Sequence, residues 1–358
     1  MGNAMIETLT ALWHTVAQAM TNQFNKLVGA PFNPNERVFW LYFLVTGVLA
    51  YVLYRTRTLR AGTEPVTLRG FGRFLFPRHV WANKSAWLDV RYFIVNHFIG
   101  KFFYLGLTAF AANLVFQLMT GQPNLGTQLA NAGLPTWSDM GIAVIYMLVA
   151  MGLADFTAYV IHYLQHKVPF LWEFHKVHHS PEVMHPLSNF REHPIDNIVY
   201  TASIGATFGL VMSLAFNWLG YMPNVIALMG APLLSVLFNL GGYHLRHSHI
   251  WLRWPGKWSM VFPSPAHHHV HHSCHPDHLD KNFAFMLPLW DVIFRTYHMP
   301  ETNKDVKFGV YGVETPEYDT IAKIYLLPLR KTWDRMTGTK KPAAEAAGTP
   351  ETRLETQA

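Results

Sequence analysis

Long apolar runs separated by short polar connections dominate this chain. Five stand out, at residues 38–54, 102–119, 141–163, 199–218 and 223–241. About 20 apolar residues make a helix long enough to cross a bilayer core. One such run would serve equally well as the core helix of a soluble protein, but five point to an all-α, integral membrane helical bundle with about five transmembrane helices.

The polar connections orient that bundle, because Lys and Arg are retained on the cytoplasmic side. The stretch after the first run carries Arg55, Arg57, Arg60, Arg69, Arg73, Arg78, Lys84 and Arg91, whereas residues 120–140 contain no Lys or Arg. The first connection therefore reads as cytoplasmic and the second as external. Alternation returns residues 166–197 to the cytoplasm, turns a hairpin near Gly220 and leaves everything after Gly241 cytoplasmic, where a histidine-rich helical cap is expected. Residues 1–28 contain Glu7 and lack a basic start ahead of a short apolar run, so they do not read as a signal peptide.

Composition agrees with the bilayer reading: half of the residues are apolar and 14% are charged. The lone Cys274 excludes an intramolecular disulfide and any multi-thiolate metal site. A net charge of +6 would suit nucleic acid, but the basic residues flank apolar runs instead of forming a stripe among aromatics, so a membrane face explains them.

Histidine is the unusual element. All but four of the 21 histidines (His14, His79, His97 and His298) lie between His162 and His278. His162 and His166 are four apart, His175, His178 and His179 follow a three-then-one spacing, and His268, His271 and His272 repeat it. Residues three and four apart share a helix face, so each box can present several imidazoles together and two or three such helix ends can enclose two metal ions. His244 and His247 offer a further pair. A low-complexity histidine tract would account for His267–His272 but not for the matching box at His175. Imidazole suits zinc, copper, iron or nickel. The eight imidazoles of the three boxes exceed what one zinc needs. No His-Glu-x-x-His occurs, and Glu182–His185 is the one Glu-x-x-His.

HYLQH from His162, FHKVHHS around His175 and PAHHHVHHS leading to His272 together resemble the fatty acid hydroxylase superfamily, in its sterol desaturase-like branch. REHPID from Arg191, HSHI from His247, LDKNFAF from Leu279 and LWDVIFRTY from Leu289 resemble further elements of that pattern, with departures at His249, Ala284 and Arg295. The resemblance implies a catalytic domain over residues 102–300. It leaves residues 1–101 as a region with the first membrane helix and basic loop, and residues 301–358 as an extension disordered from about 337. It also implies two iron ions, O2 as co-substrate, an external electron donor or redox partner protein, and hydroxylation or desaturation of a lipid.

On this reading the metal ligands are His162, His166, His175, His178, His179, His268, His271 and His272, joined by His247 and His244. His268 is chosen over His267 because its spacing to His271 and His272 reproduces the second box, leaving His267 and His269 facing outward. Asp155 lies seven residues before His162 on the same helix face and is expected to orient a ligand imidazole; His193 is expected as an outer donor or ligand. Asn189, Arg191, Asp280, Asn282 and Asp291 read as polar scaffolding, and Trp172 as an interface anchor. The competing classes are a membrane zinc hydrolase and a metal transporter or sensor, which would place its ligands near the bilayer midplane instead of at helix ends. Without a dilysine or KDEL-type ending, the expected home is a bacterial inner membrane, with the site on its cytoplasmic face.

Overall fold

A computed structural model describes residues 2–62, 64–100, 104, 106–132, 136–312 and 317–338. The described chain is mostly helical, with one short two-stranded sheet. In order, its helices are α1 (Gly2–Gly29), α2 (Trp40–Ala61), α3 (Leu68–Leu75), α4 (Arg78–Trp81), α5 (Lys84–Phe98), α6 (Leu107–Thr120), α7 (Leu125–Ala130) and α8 (Met140–Lys167). There follow α9 (Pro169–His179), α10 (Pro194–Leu219), α11 (Leu233–Leu240), α12 (Trp258–Val261), α13 (Pro265–His271), α14 (Leu289–Ile293) and α15 (Ile321–Thr337).

Local chemistry sets several of these boundaries. Proline opens α9 and α10 at a position where a missing N–H costs nothing, and Gly220 ends α10 at φ 76°. Arg295, one of the departures from the resembled pattern, takes φ 62°. That is a left-handed conformation which glycine would adopt without strain.

Two helices, α8 and α10, are long and apolar enough to cross a membrane. The 28 residues of α8 span about 42 Å at 1.5 Å each. Only 39% and 22% of their apolar windows are buried within the chain, which is little for core helices of a soluble protein. Ile145, Leu148 and Val149 of α8, Leu210 and Trp218 of α10, and Phe110 and Leu118 of α6 are exposed, an apolar surface suited to lipid.

The other expected crossings differ in form. α6 has 14 residues, and its run begins among residues outside the described set. The 22-residue α2 carries Arg55, Arg57 and Arg60 along its C-terminal end. Residues 223–241 are not one helix. Ala227–Leu228 and Ala231–Pro232 pair antiparallel around Met229 and Gly230, both at positive φ, and α11 has only eight residues. Proline at 223 and 232 prevents continuous helix there, which the apolar character of the run conceals.

α6 and α10 pack most closely. A Cβ on Gly205 would lie 2.4 Å from Thr108 O, and one on Gly209 would lie 2.5 Å from Ala112 O. This pair of glycines four apart lets two backbones touch, the packing mode that membranes favour because apolar burial gives no drive between helices in lipid.

Residues after 301 also join the fold. α15 packs on α5 and α9 through Leu88, Tyr92, Val177, Tyr318 and Ile324, and Arg335 reaches the buried Glu173 at 2.7 Å. The segment expected to be disordered lies beyond α15, with residues 339–358 outside the described set.

Candidate metal centre

Nine histidines converge below the ends of α8 and α10. His162, His166, His175, His179 and His271 form one group, and His178, His247, His268 and His272 form a second. Within each, one ligand atom per residue lies within 4.8 Å of every other. The box spacing explains the division. On α9, His175 and His179 are four apart and share a face turned to the first group, while His178 sits between them in sequence and turns to the second. α13 does the reverse: His268 and its C-cap His272 serve the second group and His271 the first. The stacked rings of His179 and His272, 4.4 Å apart, join the two groups.

Ring nitrogens point inward. Nε2 atoms approach to 3.1 Å between His166 and His179, 2.8 Å between His247 and His268, and 3.0 Å between His268 and His272. The buried Nε2 atoms of His175 and His271 have no hydrogen-bond partner. Such atoms are costly unless something occupies the space between them, so the donor set fits metal ions that accept imidazole nitrogen. Burial pushes His175 down to about 3 and His178 down to about 4, and holds His179, His247, His268, His271 and His272 well below the ordinary imidazole range. Each ring is therefore neutral, the state in which it ligates.

Outer partners fix the rings. His175 Nδ1 donates to Asp196 Oδ2 at 3.0 Å, and the other Asp196 oxygen accepts from Gln165 Nε2 at 2.6 Å. His162 Nδ1 donates to Phe283 O at 2.7 Å, and His271 Nδ1 to Lys281 O at 2.9 Å. His247 Nδ1 lies 3.0 Å from Ser188 Oγ. Such contacts fix the tautomer and leave Nε2 free for metal.

Three expectations need correction or refinement. Asp155 touches no ligand imidazole: its carboxylate accepts from Met286 N, Leu287 N and Trp290 Nε1 at 2.7 to 3.0 Å. Asp291 accepts from Phe283 N and Ala284 N, so two buried carboxylates clamp the loop whose Phe283 carbonyl holds His162. Asp155 thus acts through backbone, one step further from the converging imidazoles than its helix face implied. His193 is in neither group: its Nδ1 caps α10 by accepting from Ile195 N, and its Nε2 faces Tyr325 O of α15 at 3.1 Å. His244 also lies outside both groups, its ring stacked on Phe43 at 4.1 Å. It sits in a 3-10 turn, Tyr243–Leu245, that ends before His247, so no continuous helix relates the two residues.

The structure places His268, not His267, among the converging rings. His267 and His269 face other ways but are buried, bonding near Ser264 and Leu245 O. Asp196 went unnamed among the site residues; its signal was the acid three residues after His193 in the His-Pro-Ile-Asp phrase. Trp172 packs against His166 at 5.0 Å, beside the centre.

Two cavities adjoin the histidines. A small one of about 90 Å³ is lined by His162 and His175 from the first group and His178 and His268 from the second, so it opens on both. A larger one of about 690 Å³ is bounded by Leu148, Met151, Leu237, Phe238, Trp254 and Trp258, among others. Tyr243 and Arg246 border both.

The described residues thus combine two helices long and apolar enough to cross a membrane with two groups of converging imidazoles. Residues 147–296 match the sequence model of the fatty acid hydroxylase family, which bears out the resemblance read from the boxes. The chain is 26% identical over 204 residues to an ornithine lipid hydroxylase, OlsE, of Rhizobium tropici, covering 56% of this chain and 54% of that protein. It is 29% identical over 165 residues to alkylglycerol monooxygenase of Danio rerio, and 28% over 159 residues to that of Homo sapiens. Those two alignments cover 45% and 44% of this chain and 31% of each relative. The chain thus matches about half or less of the length of these relatives. No solved structure matches it.

Proposed function

We propose that this chain is a membrane-bound lipid hydroxylase whose nine converging histidines hold two iron ions. The observation that carries the reading is the division of those histidines into groups of five and four around one small chamber that adjoins a lipid-sized apolar cavity. Iron held there would supply O2 activation, which an unactivated C–H bond requires because it offers no acid, base or nucleophile a handle. The protein's own part is to keep nine imidazoles neutral, to fix them through Asp196, Phe283 O, Lys281 O and Ser188, and to admit substrate from the apolar side. Asp155 positions the loop that holds His162. Lipid hydroxylation is favoured over desaturation because the relatives' names are those of hydroxylases and monooxygenases. Electrons come from an external donor at a cytoplasmic membrane face, of a bacterial inner membrane.

The test is to purify the full chain anaerobically, count metal per chain, and follow O2 uptake with a reductant and candidate lipids. Two irons per chain and lipid-dependent O2 uptake are expected. One zinc per chain, or turnover that persists without O2, rejects the proposal in favour of a hydrolase. His179→Ala is expected to lose metal from its group, whereas His298→Ala, outside both groups, keeps full loading.

A further inference from the structure

Arg246 is an unusual residue to find between two cavities. It is 7% exposed, and its guanidinium sits 4.8 Å from the Phe285 ring centre and 5.7 Å from that of Phe238. A guanidinium has five N–H groups. One donates to Phe285 O at 2.9 Å and one faces His268 Nδ1 at 3.1 Å. The remaining donors have no partner among the described residues, and no carboxylate there lies within ion-pair distance. The Asp155 carboxylate, which lines the same large cavity, is already committed to Met286, Leu287 and Trp290. Asp155 therefore acts on Arg246 across the cavity without pairing with it, and a buried charge left without a direct, hydrogen-bonded partner is costly.

The surroundings indicate what would supply that partner. On one side of Arg246 lies the apolar cavity of about 690 Å³, within the roughly 300–1,000 Å³ range of ligand pockets. On the other lies the small chamber on which both histidine groups open. A molecule that satisfied both sides would carry an apolar chain and an oxyanion where chain meets head.

We propose that Arg246 clasps the oxyanion, carboxylate or phosphate, of a single-chain anionic lipid. The chain lies in the large cavity, and the atoms next to the head group face the histidines. The binding claim stands by itself; the consequence, that oxidation falls beside the head group and not in mid-chain, rests on the hydroxylase reading.

Trp254 and Trp258 line the large cavity, so a lipid with bromine on its chain will quench them when it binds. The experiment titrates the full chain in detergent micelles, metal-free and iron-loaded, with dibromostearate, its methyl ester and a dibrominated alkyl phosphate of equal length. The wild type is expected to bind at least one of the two anions about tenfold or more tightly than the ester, as for a charged hydrogen bond in a buried site. Whichever anion shows the larger preference identifies the source, a free acid or a phosphate head. R246Q is expected to erase the preference while keeping ester binding, and R246K to retain part of it. Gly152 borders the cavity and a Cβ there meets nothing within 4 Å, so G152F should weaken all three probes without a backbone clash. If neither anion is preferred by the wild type, or if R246Q keeps the preference, the inference is overturned. Should R246Q fail to fold, the wild-type comparison with and without W254F/W258F decides alone: a preference that persists after those tryptophans are removed also overturns it. Iron counted in the same samples separates this from the hydroxylase reading. Anion preference in a chain that holds no iron leaves the clasp standing and sinks the proposed function, and two irons without anion preference does the reverse.

Discussion

Asp196→Asn tests the metal centre without touching a ligand. The carboxylate is 8% exposed and takes two donors at once, His175 Nδ1–H at 3.0 Å and Gln165 Nε2–H at 2.6 Å. Asparagine keeps the shape but offers one acceptor oxygen and one NH2. Whichever way it turns, His175 or Gln165 then meets a donor instead of an acceptor. Losing a carboxylate behind a ligand histidine costs about 10- to 100-fold in metal affinity, or roughly 1.4–2.7 kcal/mol. The loss should fall on one group only. Asp196 bonds to no member of the set His178, His247, His268 and His272, which serves as the internal control. Release of iron into chelators of graded strength is the assay. In the variant, one ion per chain should leave about 10- to 100-fold more readily than in the wild type, and the other should be retained. Release curves that coincide for the two proteins would refute the role given to Asp196. Simultaneous loss of both ions would refute the division into two groups.

Gly209→Val should lower the unfolding temperature in detergent, because a Cβ there would lie 2.5 Å from Ala112 O and 2.9 Å from its Cα; forcing α6 and α10 apart costs about 1–3 kcal/mol. Gly152→Ala, with open space at its Cβ, should stay within about 0.5 kcal/mol, and equal effects at the two sites would remove the close-packing argument. Acid should destabilise the metal-free protein. His175 is pushed down to about 3, and His178, His267 and His269 down to about 4, while an unfolded histidine titrates near 6.5. Below about 6.5 the unfolded chain therefore binds more protons than the folded one. The stability present above that value is lost as pH falls, at about 1.4 kcal/mol per pH unit for each such ring until its own folded value is reached. Melting temperatures that stay flat between pH 7 and about 5 would show these rings to be solvated.

The two histidine groups were legible in the sequence to the extent that their geometry is helical. His175 with His179, and His268 with His272, share a face because four residues make about one turn, and both sequence and structure put them together. His162 and His166 obey the same rule on α8. Spacing could not show which rings belong to which group, since that depends on how α8, α9 and α13 meet. It failed at His244 for a related reason: the 3-10 turn that holds it ends at Leu245, so no helix carries the offset on to His247. Asp155 illustrates the opposite error. Its position on the His162 face was read correctly, but the nearest donors to its carboxylate proved to be the backbone of residues 286 and 287, more than 100 positions away in the chain. Long-range loop contacts leave no periodic trace. The apolar runs overstated the crossings because hydropathy averages across proline, so residues 223–241 looked continuous where the chain turns back on itself.

The two histidine groups cannot be built one at a time. α9 contributes to both, through His175 and His179 on one side and His178 on the other, and α13 contributes to both with the roles exchanged. Displacing either short helix removes ligands from each group, whereas α8 serves the first alone. The outer partners reinforce this coupling from distant parts of the chain. Asp196 opens α10, Ser188 lies in the 3-10 turn before it, and the carbonyls of Lys281 and Phe283 belong to a loop clamped by Asp155 and Asp291. Each tie alone is a hydrogen bond worth about 1 kcal/mol net. Together they span the interval from α8 to α14, the same interval that the family match covers. The helices outside it, α1 to α7 and α15, contribute none of the nine rings and act on the centre through packing and outer hydrogen bonds, as where Asp89 of α5 holds His185 and Arg191 and where α15 meets His193 and Glu173.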